Sequence, residues 1–214
     1  MRKEMKFVFK KAGALAALAV VLSLPRPVAA QAIYFNTRDL LADFFRASHR
    51  VTYTRVELTP GDRARLRARL GYEPAKASYT FFIAHSDART GDRAVDRIDG
   101  YALIDEEYGE HQPITFAVKI QPNGAIERQE VVVYREARGD EVRDLNFRKQ
   151  FVGKTATDPI APDRDIAVVS GATISSRAMA VGVKRALVLF ELFVRPSVVP
   201  ARLGALASPQ PGKL

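Results

Sequence analysis

The sequence predicts an α+β fold, an antiparallel sheet with helices packed on it. Three observations carry that class. Runs rich in β-branched and aromatic residues recur, as in "VTYTRVEL" (51–58), "SYTFFIAH" (78–85) and "PITFAVKI" (113–120), and such residues fit a pleated, half-buried surface. The Asn123-Gly124 pair sits between two alternating apolar runs, the strongest short-range hairpin signal. The strand–helix–strand repeat of a parallel dinucleotide-binding sheet is missing.

Taken in order, residues 1–30 read as a secretory signal. "MRKEMKFVFKK" is a basic leader, "AGALAALAVVLSL" is apolar but short for a bilayer span, and "PRPVAA" breaks and ends in small residues. Cleavage after Ala30 fits best, with Ala32 as the alternative and an uncleaved membrane anchor as the competing reading. The expected location is periplasmic or otherwise extracytoplasmic. No Cys follows Ala30, which excludes a lipoprotein anchor.

Removal of the leader changes the charge. The 214-residue chain has a formal charge of +9, of which residues 1–30 carry a net +5, leaving +4. Arg and Asp/Glu are intermixed in the remainder, so nucleic-acid binding is not favoured. The chain has no Cys and 3 His, His49, His85 and His111, without metal-ligand spacing. Iron–sulfur clusters, attached c-type haem and Cys-based catalysis are excluded, and no metal site is expected.

"NTRDLLADFFRASHR" predicts a helix capped by Asn36 or Thr37, with Leu40, Leu41, Phe44 and Phe45 on one face. After the strand 51–58, "TPGDRARLRARLG" predicts a second helix. Thr59 suits the cap, Pro60 the first helical position and Gly71 the stop. A strand over 78–85 precedes "SDARTGDRAVD", which reads as a polar loop. From Arg97 a meander is expected: "RIDGYALIDEEY", then "PITFAVKI", the turn "QPNG", and "AIERQEVVVYRE". "GDEVRDLNFRKQF" predicts a loop and a short helix with Leu145, Phe147 and Phe151, and "VGKTATDPIAPDRD" a connection. The last helix, 174–194, has an apolar face of Met179, Val183, Leu187 and Phe190. The expected divisions are an N-terminal α/β extension over 31–96, the principal domain over 97–194 and a flexible tail over 195–214.

Two stretches bear on chemistry. "FVGKT" (151–155) suggests a nucleotide-hydrolase phosphate loop, but the glycine required five residues before Gly153 is Arg148. That reading is rejected. "SGATISS" (170–176) opens the last helix, and a helix N-terminus offers free amides and the positive end of the macrodipole to an anion. Gly171 allows close approach of a phosphate, and Ser170, Thr173, Ser175 and Ser176 supply hydroxyls. A plain serine–threonine cap over core packing explains the same residues. Both readings stand at this point.

"DGYALIDEEYGEHQPITFAVKI", "PNGAIERQEVVVYRE", "GDEVRDLNFRKQFVGK" and "DIAVVSGATISSRA", in that order, resemble the FMN-binding domain family over about residues 97–190. The resemblance includes an apolar strand just before the motif. In that family FMN is joined through its phosphate to the threonine of a Ser/Thr-Gly-Ala-Thr motif by a separate flavin transferase that uses FAD. The resemblance implies FMN attached covalently to Thr173, with Ser170, Gly171 and Ala172 forming the turn around the phosphate and Ser175 and Ser176 beside it. Glu136 and Gly139 fall where Rnf-type members read Glu-Thr-Pro-Gly, with Ala137 and Arg138 in place of Thr-Pro. Gln150, Gly153 and Lys154 match a family segment, Lys154 as a phosphate neutraliser or as a surface lysine. The nearest acid before the motif is Asp165, five residues ahead of Ser170, where family members carry one three or four ahead. The implied function is an extracytoplasmic electron carrier rather than a stand-alone catalyst. Its partners would be the flavin transferase and a membrane-bound or periplasmic redox protein. A non-redox ligand-binding or regulatory module is the alternative.

Overall fold

The computed structural model describes residues 31–90 and 93–195. The expected leader lies outside the described residues, as does the expected tail beyond Arg195. Twelve elements follow one another: β1 (Ala32–Ile33), α1 (Thr37–Phe44), β2 (Arg50–Glu57), α2 (Pro60–Leu70), β3 (Ser78–Thr90), β4 (Arg93–Tyr108), β5 (Pro113–Ile120), β6 (Ile126–Tyr134), a 3-10 turn (Asp140–Arg143), α3 (Leu145–Lys149), α4 (Thr173–Leu189) and a π-helical turn (Phe190–Val194). The fold is α+β, as the sequence predicts.

The strands form one six-stranded sheet in the order β1-β6-β5-β4-β3-β2, with every neighbouring pair antiparallel. Residues 31–96 supply β1, β2, β3 and the start of β4, so the sheet runs unbroken across position 96. One face packs on α4, where Met179, Val183, Leu187 and Phe190 meet Phe81, Tyr101, Leu103 and Phe116. The ring of Phe190 stands edge-on to Tyr101, with centroids 4.8 Å apart. The opposite face is covered by α1, whose Leu40, Phe44 and Phe45 lie over Ala84, Ala102, Ala117 and Val132. Small residues on the sheet let that short helix approach closely.

Local signals account for the helix ends. Asn36 accepts the amide of Asp39 at 2.9 Å and caps α1. Thr59 and Asp62 form a capping box at the start of α2, and Gly71 ends it at φ +82°. In the β5–β6 turn Gly124 takes φ +94° and its amide reaches Gln121 O at 2.9 Å.

Three expectations are corrected. The stretch 86–96 is not a loop: Ser86–Thr90 pairs with Arg93–Arg97, so β3 and β4 form a longer hairpin. Backbone pairing sustains it, although its polar residues show no apolar alternation. No strand precedes the motif; Ile166 makes only an isolated bridge to Pro162. The apolar run there is anchored by a side chain instead, because Gln150 donates to Ala167 O at 3.1 Å and accepts Ala167 N at 2.7 Å. The last α-helix stops at Leu189 and continues as the π-helical turn.

Candidate functional site at the start of α4

The residues before α4 turn sharply. Gly171 sits at φ +84°, and a Cβ there would meet no atom within 4 Å, so its outer side is open. Ala172 is the N-cap, and no side chain caps the helix. A helix leaves its first four amides without intrahelical acceptors. The amide of Ala172 is satisfied by Val169 O at 3.0 Å, and the first intrahelical bond runs from Ser176 N to Ala172 O at 2.8 Å. The amides of Thr173, Ile174 and Ser175 remain as donors at the helix end.

The hydroxyls divide into two sets. Ser170 and Thr173 are exposed, whereas Ser175 and Ser176 are buried. Ser176 Oγ accepts the amide of Val169 at 3.1 Å and braces the turn from inside. Ser175 Oγ lies 2.8 Å from the Tyr134 hydroxyl. The turn is therefore not a serine–threonine cap. The buried Ser176 hydroxyl holds the backbone and that of Ser175 meets Tyr134, while Ser170 and Thr173 stand exposed.

Gly139 is brought to this place. It takes φ +93°, and a Cβ on it would stand 2.8 Å from Ser175 Oγ and 3.5 Å from Ala172 Cα. Glu136, three residues earlier, is engaged elsewhere: its Oε1 accepts the amides of His111 and Gln112 at 2.6 and 3.0 Å and closes the β4–β5 turn. Lys154 forms an ion pair with Asp165 at 2.8 Å. Burial pushes the Asp165 carboxyl up, but Lys154 and the amides of Ala161 and Ile160 outweigh it and hold the carboxyl below its usual value. That pair orders the loop ahead of the motif. Gly153, at φ +83°, donates to Ile126 O at 2.8 Å and continues the sheet edge.

Arg177 lies one turn beyond Thr173, exposed, and pairs with Asp163 at 3.0 Å. A buried charge cluster anchors the middle of the helix. Arg185 donates to Asp105 Oδ2 from Nε at 3.0 Å and from Nη2 at 2.7 Å, to Glu106 O at 2.8 Å, and to Glu107. Lys76 reaches the other oxygen of Asp105 at 2.7 Å. Position and pattern in sequence bring neither Tyr134 nor Arg185 to notice; both act through partners far away along the chain.

A cavity of about 520 Å³ opens beside the C-terminus of α1 and is lined by Asp99, Lys119 and Arg128 among others, with no residue of the motif. Among the described residues, no group of three or more His, Asp or Glu could hold a metal ion. No described helix is long and apolar enough to cross a membrane.

The donor set fits a phosphate ester. An anion at the end of α4 would find up to three amides, an open glycine and an exposed threonine hydroxyl, which suits the phosphate of FMN. A family model described as the FMN-binding domain matches residues 109–188. No curated protein sequence matches the chain. Among solved structures the crystal structure of Shewanella oneidensis NqrC is similar, at 16% identity and a TM-score of 0.43, covering 76% of this chain and 87% of that one. The match over residues 109–188 supports an FMN-binding domain in that part of the chain.

Proposed function

We propose that the protein is an exported flavoprotein electron carrier with FMN joined through its phosphate to Thr173. The observation that carries the reading is the uncapped end of α4. Its free amides and the exposed Thr173 hydroxyl lie within the segment that matches the FMN-binding domain. In attachment, Thr173 Oγ would bond to the flavin-side phosphorus of FAD. The pyrophosphate P–O bond would break, AMP would leave, and a base on the transferase would take the hydroxyl proton. Among the described residues no His, Asp or Glu hydrogen-bonds to Thr173, and an isolated threonine is a weak nucleophile. A separate flavin transferase accounts for that.

Bound in this way, the flavin supplies the redox chemistry. The chain's own contribution is to hold the phosphate on the amides of Thr173, Ile174 and Ser175, and to keep the turn rigid through Ser176. A tether suits an extracytoplasmic setting, where a dissociated cofactor would be lost. The partner would be a membrane-bound or periplasmic redox protein. Gel filtration of protein matured with a flavin transferase tests the reading. Flavin absorbance should travel with the wild-type chain after denaturation and be lost from Thr173→Val. Absence of flavin from the wild-type protein would end the proposal.

A further inference from the structure

Tyr134 closes β6 and is 2% exposed, yet its hydroxyl makes two bonds. It donates to Arg138 O, so its contact with Ser175 at 2.8 Å must have Ser175 Oγ as the donor. One phenol thereby joins the loop after its own strand to the first turn of α4. Gly139 permits the approach, because a Cβ there would lie 2.7 Å from the Tyr134 oxygen and 2.8 Å from Ser175 Oγ. Burial raises the phenol above its ordinary pKa, which keeps the donating proton in place. Ser175 is two residues from Thr173, and it is buried where Thr173 is exposed.

We propose that Tyr134 is a positioning residue for the cofactor. Through Arg138 O and Ser175 it locks the 136–139 loop to the helix end, so that a group tethered at Thr173 meets that loop in a single orientation. The proposal rests on the attachment of FMN at Thr173 and names a residue outside the motif that governs its setting. The phenol ring is core and would survive as Phe; only the two hydrogen bonds would go.

The test uses the full chain matured with a flavin transferase, as wild type, Tyr134→Phe, Ser175→Ala and the double variant. Intact mass reads attachment, hydrogen exchange reads the loop, and flavin fluorescence anisotropy and midpoint potential read the setting of the ring. All four proteins should carry FMN. Amides of residues 136–140 should exchange about five-fold faster in Ser175→Ala, the change expected from losing one ordinary hydrogen bond, and faster still in Tyr134→Phe, which loses two. Anisotropy should fall and the potential shift in both, with the double variant no worse than Tyr134→Phe alone. Ser175→Ala keeps the test valid should Tyr134→Phe fold poorly. Faster exchange with unchanged anisotropy and potential would make Tyr134 merely structural and overturn the proposal. Absence of FMN from the wild-type mass is a separate result, which removes the attachment and the proposal with it.

Discussion

Arg185 offers the sharpest test of how the functional helix is held. Its guanidinium lies in the core, 5% exposed, against the Asp105 carboxylate, whose side chain is 1% exposed. Burial alone would lower the pKa of Arg185, but Asp105 and Glu107 overcome it and hold the group firmly charged. Arg185→Met removes one charge and leaves Asp105 facing Lys76, which is itself 46% exposed and well hydrated. Breaking a buried pair from one side costs about 3–5 kcal/mol, because the remaining charge is uncompensated. Retention of Lys76 puts the expectation near the lower end. A domain of this size loses roughly 2–4 °C of Tm per kcal/mol, so the fall should be about 6–12 °C. Urea unfolding followed by circular dichroism gives the free energy directly. Arg185→Met/Asp105→Leu should be less destabilised than the sum of its singles, since an apolar replacement leaves no orphan charge. A loss below about 1 kcal/mol for Arg185→Met would refute the argument and make the pair equivalent to a solvated surface bridge.

Other substitutions separate neighbouring effects. Gly171→Ala should cost only about 1–2 kcal/mol by thermal unfolding, the strain of a left-handed residue with open space around it. Gly139→Ala should cost clearly more, because its Cβ must also displace two buried hydroxyls. Gln129 is 1% exposed, and neither atom of its side-chain amide has a partner among the described residues; Gln129→Leu should raise stability by about 1 kcal/mol in urea unfolding, since an unmet buried amide is costly. Asp165 and Asp158 are both held below the ordinary aspartate value when folded, Asp165, against the push of burial, by Lys154 and the amides of Ala161 and Ile160, Asp158 by its bonds from Thr155. Their contribution is present above that value and disappears as the pH falls through the lower folded values. Stability should therefore drop below about pH 4, and Asp165→Asn should lose less than wild type between pH 7 and pH 3.

What was legible in the sequence was local. Thr59, Pro60 and Gly71 delimit α2 because caps act within one turn, and Asn123-Gly124 marks its hairpin because a tight turn needs those residues. The face of α4 could be read from the spacing of Met179, Val183, Leu187 and Phe190. The hairpin beyond His85 could not, since its stability lies in backbone pairing between polar residues. The two residues of β1 leave no pattern. The apolar run Ile166–Val169 stands where the resemblance implies a strand, yet Gln150, distant in sequence, fixes its backbone. At the site the motif itself was visible, and so was Gly139. The contacts that hold them were not: Tyr134 lies 41 residues from Ser175, and Arg185 lies 80 from Asp105. Glu136 and Lys154 fall at family positions, but their bonds to the 109–112 turn and to Asp165 depend on folding.

The central claim is that Thr173 carries FMN. Intact mass spectrometry of the full chain, expressed together with a flavin transferase, decides it. Wild type should gain the mass of one FMN less one water, and Thr173→Val should gain none. An unmodified wild-type mass would contradict it, whether or not flavin is released on denaturation.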